Sequence, residues 1–333
     1  MRKVFWLVAV LALLYCGYWV LGAKGTEKGI AAWIRARSAE GWQAEVSDIS
    51  TGGFPLRFDT TLSHPQFADP RSGVALSTSQ IDILSQSFRP TRFTARFAPE
   101  ALLSTPYEKL TISQALAEAQ LFVDPGPRLT LDHASVQLDG LKIVSTNEWS
   151  VALDHAQFNT QRSDDDPLEH DITFIAEGFA PSQNMARLLQ DQDGLSDTFE
   201  TLDMDMTARF DAPWDIRALA GPRPQPTHIT LRTFSAQWGA LTLRLAGDFV
   251  VDAEGYPTGT LAVKAENWRE MIAVARSVGT IPQDMASIAE RAGGILAGLS
   301  GRKDTIDAEL TVKNGTISLG ILPLGPAPRL RIR

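Results

Sequence analysis

The sequence predicts a mainly β protein with some helix, of the α+β class, attached to a membrane by one N-terminal helix. Two observations support this: a long uncharged apolar run at the N-terminus, and apolar and polar residues that alternate with a period of two in many later segments. Such alternation is typical of antiparallel strands that have one apolar and one solvated face. We therefore expect antiparallel, curved sheets with a few covering helices.

The N-terminal run from Val4 to Gly22 contains no charged residue, and Lys24 follows it. As a helix this run would be about 28 Å long, close to the thickness of the hydrocarbon core of a bilayer. Arg2 and Lys3 precede it, which favours a cytoplasmic N-terminus. We expect residues 1–23 to span a bacterial inner membrane in contact with its lipid bilayer, and residues 24–333 to lie in the periplasm.

Two alternative predictions for the N-terminal run, cleavage and lipidation, have less support. A cleaved signal peptide usually has a shorter apolar region and small residues before the cut, whereas Val20 and Leu21 precede the candidate site at Gly22-Ala23. Lipidation at Cys16 would need a small residue where bulky Tyr15 stands. An uncleaved anchor is therefore the leading prediction, with cleavage and then lipidation as alternatives.

Charge and cysteine content narrow the function classes. The net charge is -8, and no stripe of basic residues is present, so we expect no binding to nucleic acid. Cys16 is the only cysteine, which leaves no disulfide framework and no thiolate zinc site. We expect no metal site and no cofactor.

Strands and helices can be placed along the body. The clearest alternation covers Leu202–Asp211, and Leu241–Val251 is joined to Thr258–Lys264 by a turn at Asp252–Gly255. Asn314-Gly315 is the strongest two-residue hairpin signal. Four segments are expected to be helical, one of them started by Asn267 with Glu270 in a capping-box pattern: Thr26–Glu40, Pro181–Gln192, Asn267–Val278 and Asp284–Leu299.

The proline-rich stretch Gly221–Pro226 is predicted to be a linker or a long loop. It could divide the body into two lobes, residues 24–220 and 227–333.

No set of residues with catalytic spacing stands out. The densest polar cluster, which runs from Asp164 to Asp166 and continues with Glu169, His170 and Asp171, lacks the glycine and ligand spacing of a calcium loop. The five histidines are scattered and form no zinc-protease or nucleophile-elbow motif. We therefore expect a binding or structural protein, with an envelope hydrolase as a weaker alternative.

The abundance of one-sided strands predicts more apolar sheet surface than three or four modest helices can cover. That surface can pack sheet against sheet in a closed core, or it can hold an acyl chain of a phospholipid in a groove. The two predicted helices after Asn267 could then act as a lid, with Gly293 and Gly294 as a flexible point. Candidate lining residues lie on single faces of the two cleanest strands: Leu202, Met204, Met206, Leu241, Leu243 and Leu245.

Three ordered motifs carry a family resemblance. They begin at Gly52 (GGFPLRFD), at Gly247 (GDF, then Asp252 and GYPTG) and at Asn314 (NGTISLG, then PLG). With the N-terminal anchor, they resemble an uncharacterised alphaproteobacterial family, domain of unknown function 2125, which is similar to AsmA-like envelope proteins. The motif residues that we single out are Gly53, Phe54, Pro55, Arg57, Gly255 and Pro257.

The resemblance implies an inner-membrane anchor, a periplasmic β-rich body with an apolar groove, and a role in lipid movement or envelope maintenance. It supplies no catalytic residues. AsmA-like proteins are often much longer than this chain, so the resemblance does not imply a bridge between two membranes. A purely structural or partner-docking module without a ligand is the main alternative.

Overall fold

The predicted fold class is confirmed. The computed structural model describes residues 1–181, 196, 198–219, 221–277, 283–300 and 303–332. It contains 54% strand and 21% helix, and the sheet is mostly antiparallel. The chain forms two compact units, one of Met1–Val123 with Leu141–Glu148 and one of Asp124–Gly140 with Trp149–Arg333.

The first unit contains the N-terminal helix and the shorter strands. Its strands form two antiparallel ladders, one in the order β2-β3-β6-β7-β10 and one in the order β1-β4-β5-β8-β9 that ends on the last residues of β11. The elements are α1 (Arg2–Ala39), β1 (Gln43–Glu45), β2 (Asp48–Gly52), β3 (Arg57–Ser63), β4 (Gln66–Asp69), β5 (Val74–Thr78), β6 (Gln80–Gln86), β7 (Arg89–Phe97), β8 (Glu100–Ser104), β9 (Lys109–Ser113) and β10 (Leu116–Val123). The long strand β11 (Leu131–Ser145) is divided between the units, and its residues from Leu141 onward belong to the first.

The second unit is built on long strands that follow one another in chain order. From β12 to β20 each strand pairs with the next, always antiparallel. Its elements are β12 (Ser150–Arg162), β13 (Glu169–Phe179), β14 (Phe199–Phe210), a short 3-10 helix (Ile216–Leu219), β15 (Pro226–Trp238), β16 (Leu241–Val251), β17 (Pro257–Glu266), α2 (Trp268–Ser277), α3 (Gln283–Ser300), β18 (Thr305–Lys313), β19 (Thr316–Leu319) and β20 (Leu322–Pro326).

The N-terminal helix is longer than predicted. The expected membrane span and the expected separate helix at Thr26–Glu40 form one continuous helix, α1. Thr26 does not cap a new helix, because its hydroxyl donates to the carbonyl of Gly22 one turn earlier. In the described part of the chain, α1 is the one helix that is long and apolar enough to cross a membrane, which supports membrane anchoring.

The middle of α1 is held against the first unit by aromatic side chains. The hydroxyl of Tyr15 donates to the carbonyl of Pro55 at 2.8 Å, and that of Tyr18 donates to the carbonyl of Ser87 at 2.6 Å. The indole of Trp19 donates to the carbonyl of Arg57 at 2.8 Å. The residues before Tyr15 are mostly exposed, so α1 meets the body only from its middle onward.

Two predicted turns are confirmed. Asn314 and Gly315 form the tip between β18 and β19, with φ of 52° and 70°, the left-handed values that a tight hairpin needs. Asp252 accepts hydrogen bonds from the backbone of Gly255 and Tyr256 and thereby closes the turn between β16 and β17.

The helices of the second unit agree with prediction in position but not in every detail. The structure has α2 and α3 where helices were expected, whereas the predicted helix Pro181–Gln192 lies outside the described residues except for Pro181. The predicted capping interaction of Asn267 does not form. Its side-chain amide donates to the carbonyl of Ala240, so it ties the start of α2 to the neighbouring hairpin.

Candidate lipid-binding face

One face of the β12–β18 sheet gathers the predicted apolar residues. Residues directly opposite each other in an antiparallel ladder point to the same side of the sheet. Leu202 of β14 lies opposite Ala236 of β15, which in turn lies opposite Leu243 of β16. The strands singled out from the sequence are therefore two strands of one sheet with β15 between them, and their apolar sides coincide.

Two further rows run parallel to this one. Met204, Phe234 and Leu245 form the second row. The third row contains Met206 and Leu231. The rows continue onto β13 and β17, where partners from β13 are Ile172, Phe174 and Ala176, and partners from β17 are Leu261, Val263 and Ala265. We call this surface the apolar face; its defining residues are Ile172, Phe174, Leu202, Met204, Met206, Leu231, Phe234, Leu243, Leu245 and Val263.

A bulge in β15 keeps the apolar face continuous. Phe234 and Leu231 are three positions apart, although their partners Met204 and Met206 are two apart. The extra residue in β15 turns both side chains to the same side. The alternation is broken there, so a search for period-two patterns does not reveal Leu231 and Phe234 as members of the site.

The six predicted lining residues have different surroundings. Leu241 is buried with Trp238, and Phe199, Met271 and Val274 pack against this pair. Leu243 packs against a second buried cluster that contains Ala265, Trp268 and Ala297. The end of the apolar face under α2 and α3 is therefore closed core.

The centre of the apolar face is less enclosed. Leu202, Met204, Met206 and Leu245 are half-buried, and Phe234 beside them is half-buried as well. Branched and aromatic side chains and thioethers that keep part of their surface accessible form a deformable apolar surface. Its chemistry suits a flexible hydrocarbon ligand.

The opposite face of the same strands is polar and cross-linked by ion pairs. Arg232 contacts Asp171 at 2.9 Å, and it also pairs with Asp205 on β14. The hydroxyl of Thr207 donates to Asp171, and this bond, followed by the pairing with Arg232, lowers the pKa of the Asp171 carboxyl. These contacts stabilise the ionised carboxylate and mark this side as the solvated one.

The acidic cluster predicted in the sequence is distributed over a turn and a strand. Asp166 accepts from the backbone of Leu168 and pairs with Arg209 at 2.7 Å, and both contacts lower its pKa. His170 is 2% exposed and lies on the apolar side, near the hydroxyl of Thr160. In the described ranges no three metal-ligating side chains come together.

The comparisons with known proteins identify the family. The model of a family described as "Uncharacterized protein conserved in bacteria (DUF2125)" matches residues 19–328. The chain belongs to the DUF2125 family. No curated protein and no solved structure matches it. The DUF2125 match starts within α1 at Trp19, so it includes the part of the helix that contacts the first unit.

The motif residues predicted from the sequence lie in turns or, for Arg57 and Pro257, at the start of the strand that follows a turn. Gly53 has φ of 90°, and its carbonyl accepts from the backbone of Arg57, which closes the turn around Phe54 and Pro55. A Cβ at Gly53 would lie 2.9 Å from the carbonyl oxygen of Arg57, so this turn needs glycine. Gly255, with φ of 89°, accepts from the backbone of Leu330 and ties the C-terminal segment to the β16–β17 turn.

Proposed function

We propose that this DUF2125 protein is a membrane-anchored envelope protein that holds the acyl chains of phospholipids against its apolar face. The observation that carries the proposal is the contrast between the two sides of one sheet. One side presents rows of half-buried apolar side chains, and the other carries ion pairs around Arg232. A sheet with this asymmetry is stabilised when something apolar covers its first side.

The dimensions of the apolar face suit an acyl chain. The second row crosses seven strands, from Phe158 on β12 to Ala308 on β18. At about 4.8 Å between strands it is about 29 Å long. One leaflet contributes about half of the ~30 Å hydrocarbon core, so the row can accommodate an extended chain. Each methylene removed from water would contribute about 0.8 kcal/mol.

We also propose that the body lies in the periplasm and that α1 spans the inner membrane with its N-terminus in the cytoplasm. Arg2 and Lys3 before the apolar run favour this orientation. The absence of cysteine after Cys16 is compatible with an oxidising compartment. The resemblance to AsmA-like proteins adds the expectation that the bound lipid is moved or stored during envelope maintenance.

We propose that the protein acts by binding and not by catalysis. The polar groups that are densest in the sequence have structural partners: Asp166 pairs with Arg209, and Asp171 pairs with Arg232. His170 is enclosed on the apolar side and is 2% exposed, so it is not available to a substrate in water.

A second candidate function is a module that docks a protein partner on the same apolar face without a lipid ligand. The same half-buried residues support it, because an apolar surface can be covered by protein as well as by lipid. The two candidate functions predict different neighbours for Met204 in the cell: a phospholipid for the first and a protein for the second.

Site-specific photo-cross-linking in the full-length protein tests the proposal. The photoreactive residue p-benzoylphenylalanine is placed at Met204, and in a matched control at Thr201, an exposed residue on the polar side of the same strand. Irradiation of cells followed by mass spectrometry should find a phospholipid adduct at Met204 and none at Thr201. A protein adduct at Met204 would favour the docking module, and no adduct would indicate a closed core.

A further inference from the structure

Two neighbouring turns of the first unit expose large apolar side chains beside α1. Phe54 and Leu56, in the turn between β2 and β3, are 54% and 60% exposed. Phe88, at the tip of the β6–β7 hairpin, is 61% exposed. The backbone of Ser87 donates to the carbonyl of Leu56 at 2.9 Å, so the two turns form one connected structure. We call residues 53–56 with 87–88 the foot.

The position of the foot along α1 fixes its depth. The helix before Tyr15 is about 20 Å long at ~1.5 Å per residue, too short to cross a hydrocarbon core of about 30 Å. The rest of the span must therefore come from the segment that begins at Tyr15 and ends before Lys24, the first charged residue after the apolar run. The foot contacts α1 within this segment, at Tyr15 and Tyr18 through hydrogen bonds and at Trp19 through the ring of Phe54.

The carbonyls of Pro55 and Ser87, on the side of the foot that contacts α1, are paired. This pairing favours insertion, because an unpaired carbonyl inside a bilayer costs several kcal/mol. The carbonyl of Pro55 accepts from the hydroxyls of both Tyr15 and Ser87. The carbonyl of Ser87 accepts from Tyr18. Three aromatic donors on α1 thus supply partners for turn carbonyls, one of which belongs to Arg57 next to the foot.

Packing also joins the foot region to the span. The rings of Trp19 and Phe54 meet edge to face, with centroids 5.3 Å apart, and Trp19 stacks on Phe58 at 5.8 Å. Gly22 leaves room for the ring of Phe58, because a Cβ at Gly22 would lie 2.6 Å from the end of that ring. These contacts leave the outer sides of Phe54, Leu56 and Phe88 free to meet lipid.

Charge at the border of the foot fits the headgroup region. Arg57 follows the first turn and Arg89 follows Phe88; both are exposed, and Arg57 also pairs with Asp59 at 2.9 Å. Long cationic side chains next to an inserted apolar tip can reach lipid phosphates while their stems stay in the apolar layer.

We propose that the foot inserts into the membrane leaflet on the side of the body, next to α1, with Phe54, Leu56 and Phe88 in contact with phospholipid. The first unit is then attached at two points, by the span and by the foot, which limits its tilt relative to the membrane plane. This assigns a physical role to the Gly53-Phe54-Pro55 motif: the glycine permits the turn, and the phenylalanine and its neighbours enter the lipid.

Fluorescence quenching of the full-length protein tests this proposal. In a Cys16→Ser background, the single-cysteine variants Leu56→Cys and Phe88→Cys are labelled with an environment-sensitive dye. They are reconstituted in vesicles of phosphatidylethanolamine and phosphatidylglycerol in a ratio of about 3:1, a composition chosen to resemble a bacterial inner membrane. Leu11→Cys, within the span, is the lipid reference. Ala36→Cys, exposed on α1 about 25 Å beyond Trp19, is the water reference.

The expected result is that nitroxide-labelled lipid quenches the dyes at positions 56 and 88 as strongly as the dye at position 11, and that aqueous iodide quenches them at least several-fold less than the dye at position 36. Iodide quenching equal to that at position 36 would overturn the proposal, because it would place both side chains in water. Because the replaced side chains are more than half exposed, the variants should melt at the same temperature as the parent, measured by circular dichroism. Loss of lipid adducts at Met204 would not affect this result, since the two experiments examine different units.

Discussion

The ring of Trp268 in α2 occupies the space that a side chain at Gly293 in α3 would need. A Cβ at Gly293 would lie 2.6 Å from the Trp268 ring and 2.8 Å from the side chain of Ile306 on β18. Trp268 is 2% exposed and belongs to the core cluster with Ala265 and Ala297. The two helices are thus fastened to the sheet at this point, where the sequence suggested a flexible lid.

Gly293→Ala should destabilise the protein by about 1–3 kcal/mol, because the added methyl overpacks a filled site. Gly294→Ala is the matched control: its side chain would meet nothing within 4 Å. This control should stabilise the helix by about 0.5–1 kcal/mol. Urea unfolding followed by tryptophan fluorescence measures both. Equal effects at the two positions would show that α2 and α3 are not packed as described.

The fold could be predicted from the sequence where local signals agree with tertiary packing. Asn314-Gly315 forms the expected hairpin tip, and the alternation from Leu202 onward forms β14. It could not be predicted where a long-range contact decides. Thr26 looks like a helix start, but the rigid helix continues through it, because α1 is held from Trp19 to Trp33 by contacts with β2, β3 and β4.

The candidate site, too, was predictable where local pattern decides and not where long-range contacts decide. Met204 and Leu245 could be recognised as apolar positions on clean strands, but not as neighbours, because the pairing of β14 and β16 with the same strand is a long-range property. Phe234 could not be recognised, since the bulge in β15 interrupts its pattern. Leu241 has the same local pattern as Leu245 but lies under α2.

Met204→Lys should prevent lipid from occupying the apolar face. A lysine at the centre of the face would place a charge against the acyl chain, which costs far more than the contact contributes. Lipid adducts captured by p-benzoylphenylalanine at the neighbouring Phe234 should fall by about tenfold or more, which corresponds to ~1.4 kcal/mol. Thr201→Lys, on the polar side opposite Glu177, is the matched control. Adducts that persist unchanged in Met204→Lys would contradict the assignment of the face.

His170 should make stability depend on pH between 5.5 and 7.5. Burial, and then the positive charge of Arg162, lowers the pKa of His170 in the folded protein. The unfolded chain, with a histidine pKa of ~6.5, therefore binds the proton more readily than the folded protein does as the pH falls below that value. Stability is highest above about pH 6.5 and decreases as the pH falls toward the folded-state pKa.

The variant His170→Gln should flatten this part of the pH profile. Urea unfolding at pH 5.5 and 7.5 avoids most of the carboxylate titrations. The difference between the two proteins then separates His170 from the other four histidines. The wild type should lose stability at the lower pH, and the variant should lose less. A profile that is equally steep in both proteins would show that His170 is not the group responsible.

Orientation in the membrane gives the last prediction. Arg2, Lys3 and the N-terminal amine precede the span, so the N-terminus should stay in the cytoplasm and the body should be exported. Alkaline phosphatase fused after the C-terminus should be active in intact cells, since this enzyme needs an oxidising compartment to form its disulfides. A green fluorescent protein fused at the same place and exported by the general secretory route should stay dark.

The same chain should keep its N-terminal segment. Its intact mass should correspond to a chain that starts at Met1, because Tyr15, Tyr18 and Trp19 are bound to the first unit and belong to the folded protein. A mature chain that starts near Ala23 would lack these contacts and the part of α1 that lies beside the foot. A fluorescent fusion, in the cytoplasm, would show the reverse orientation.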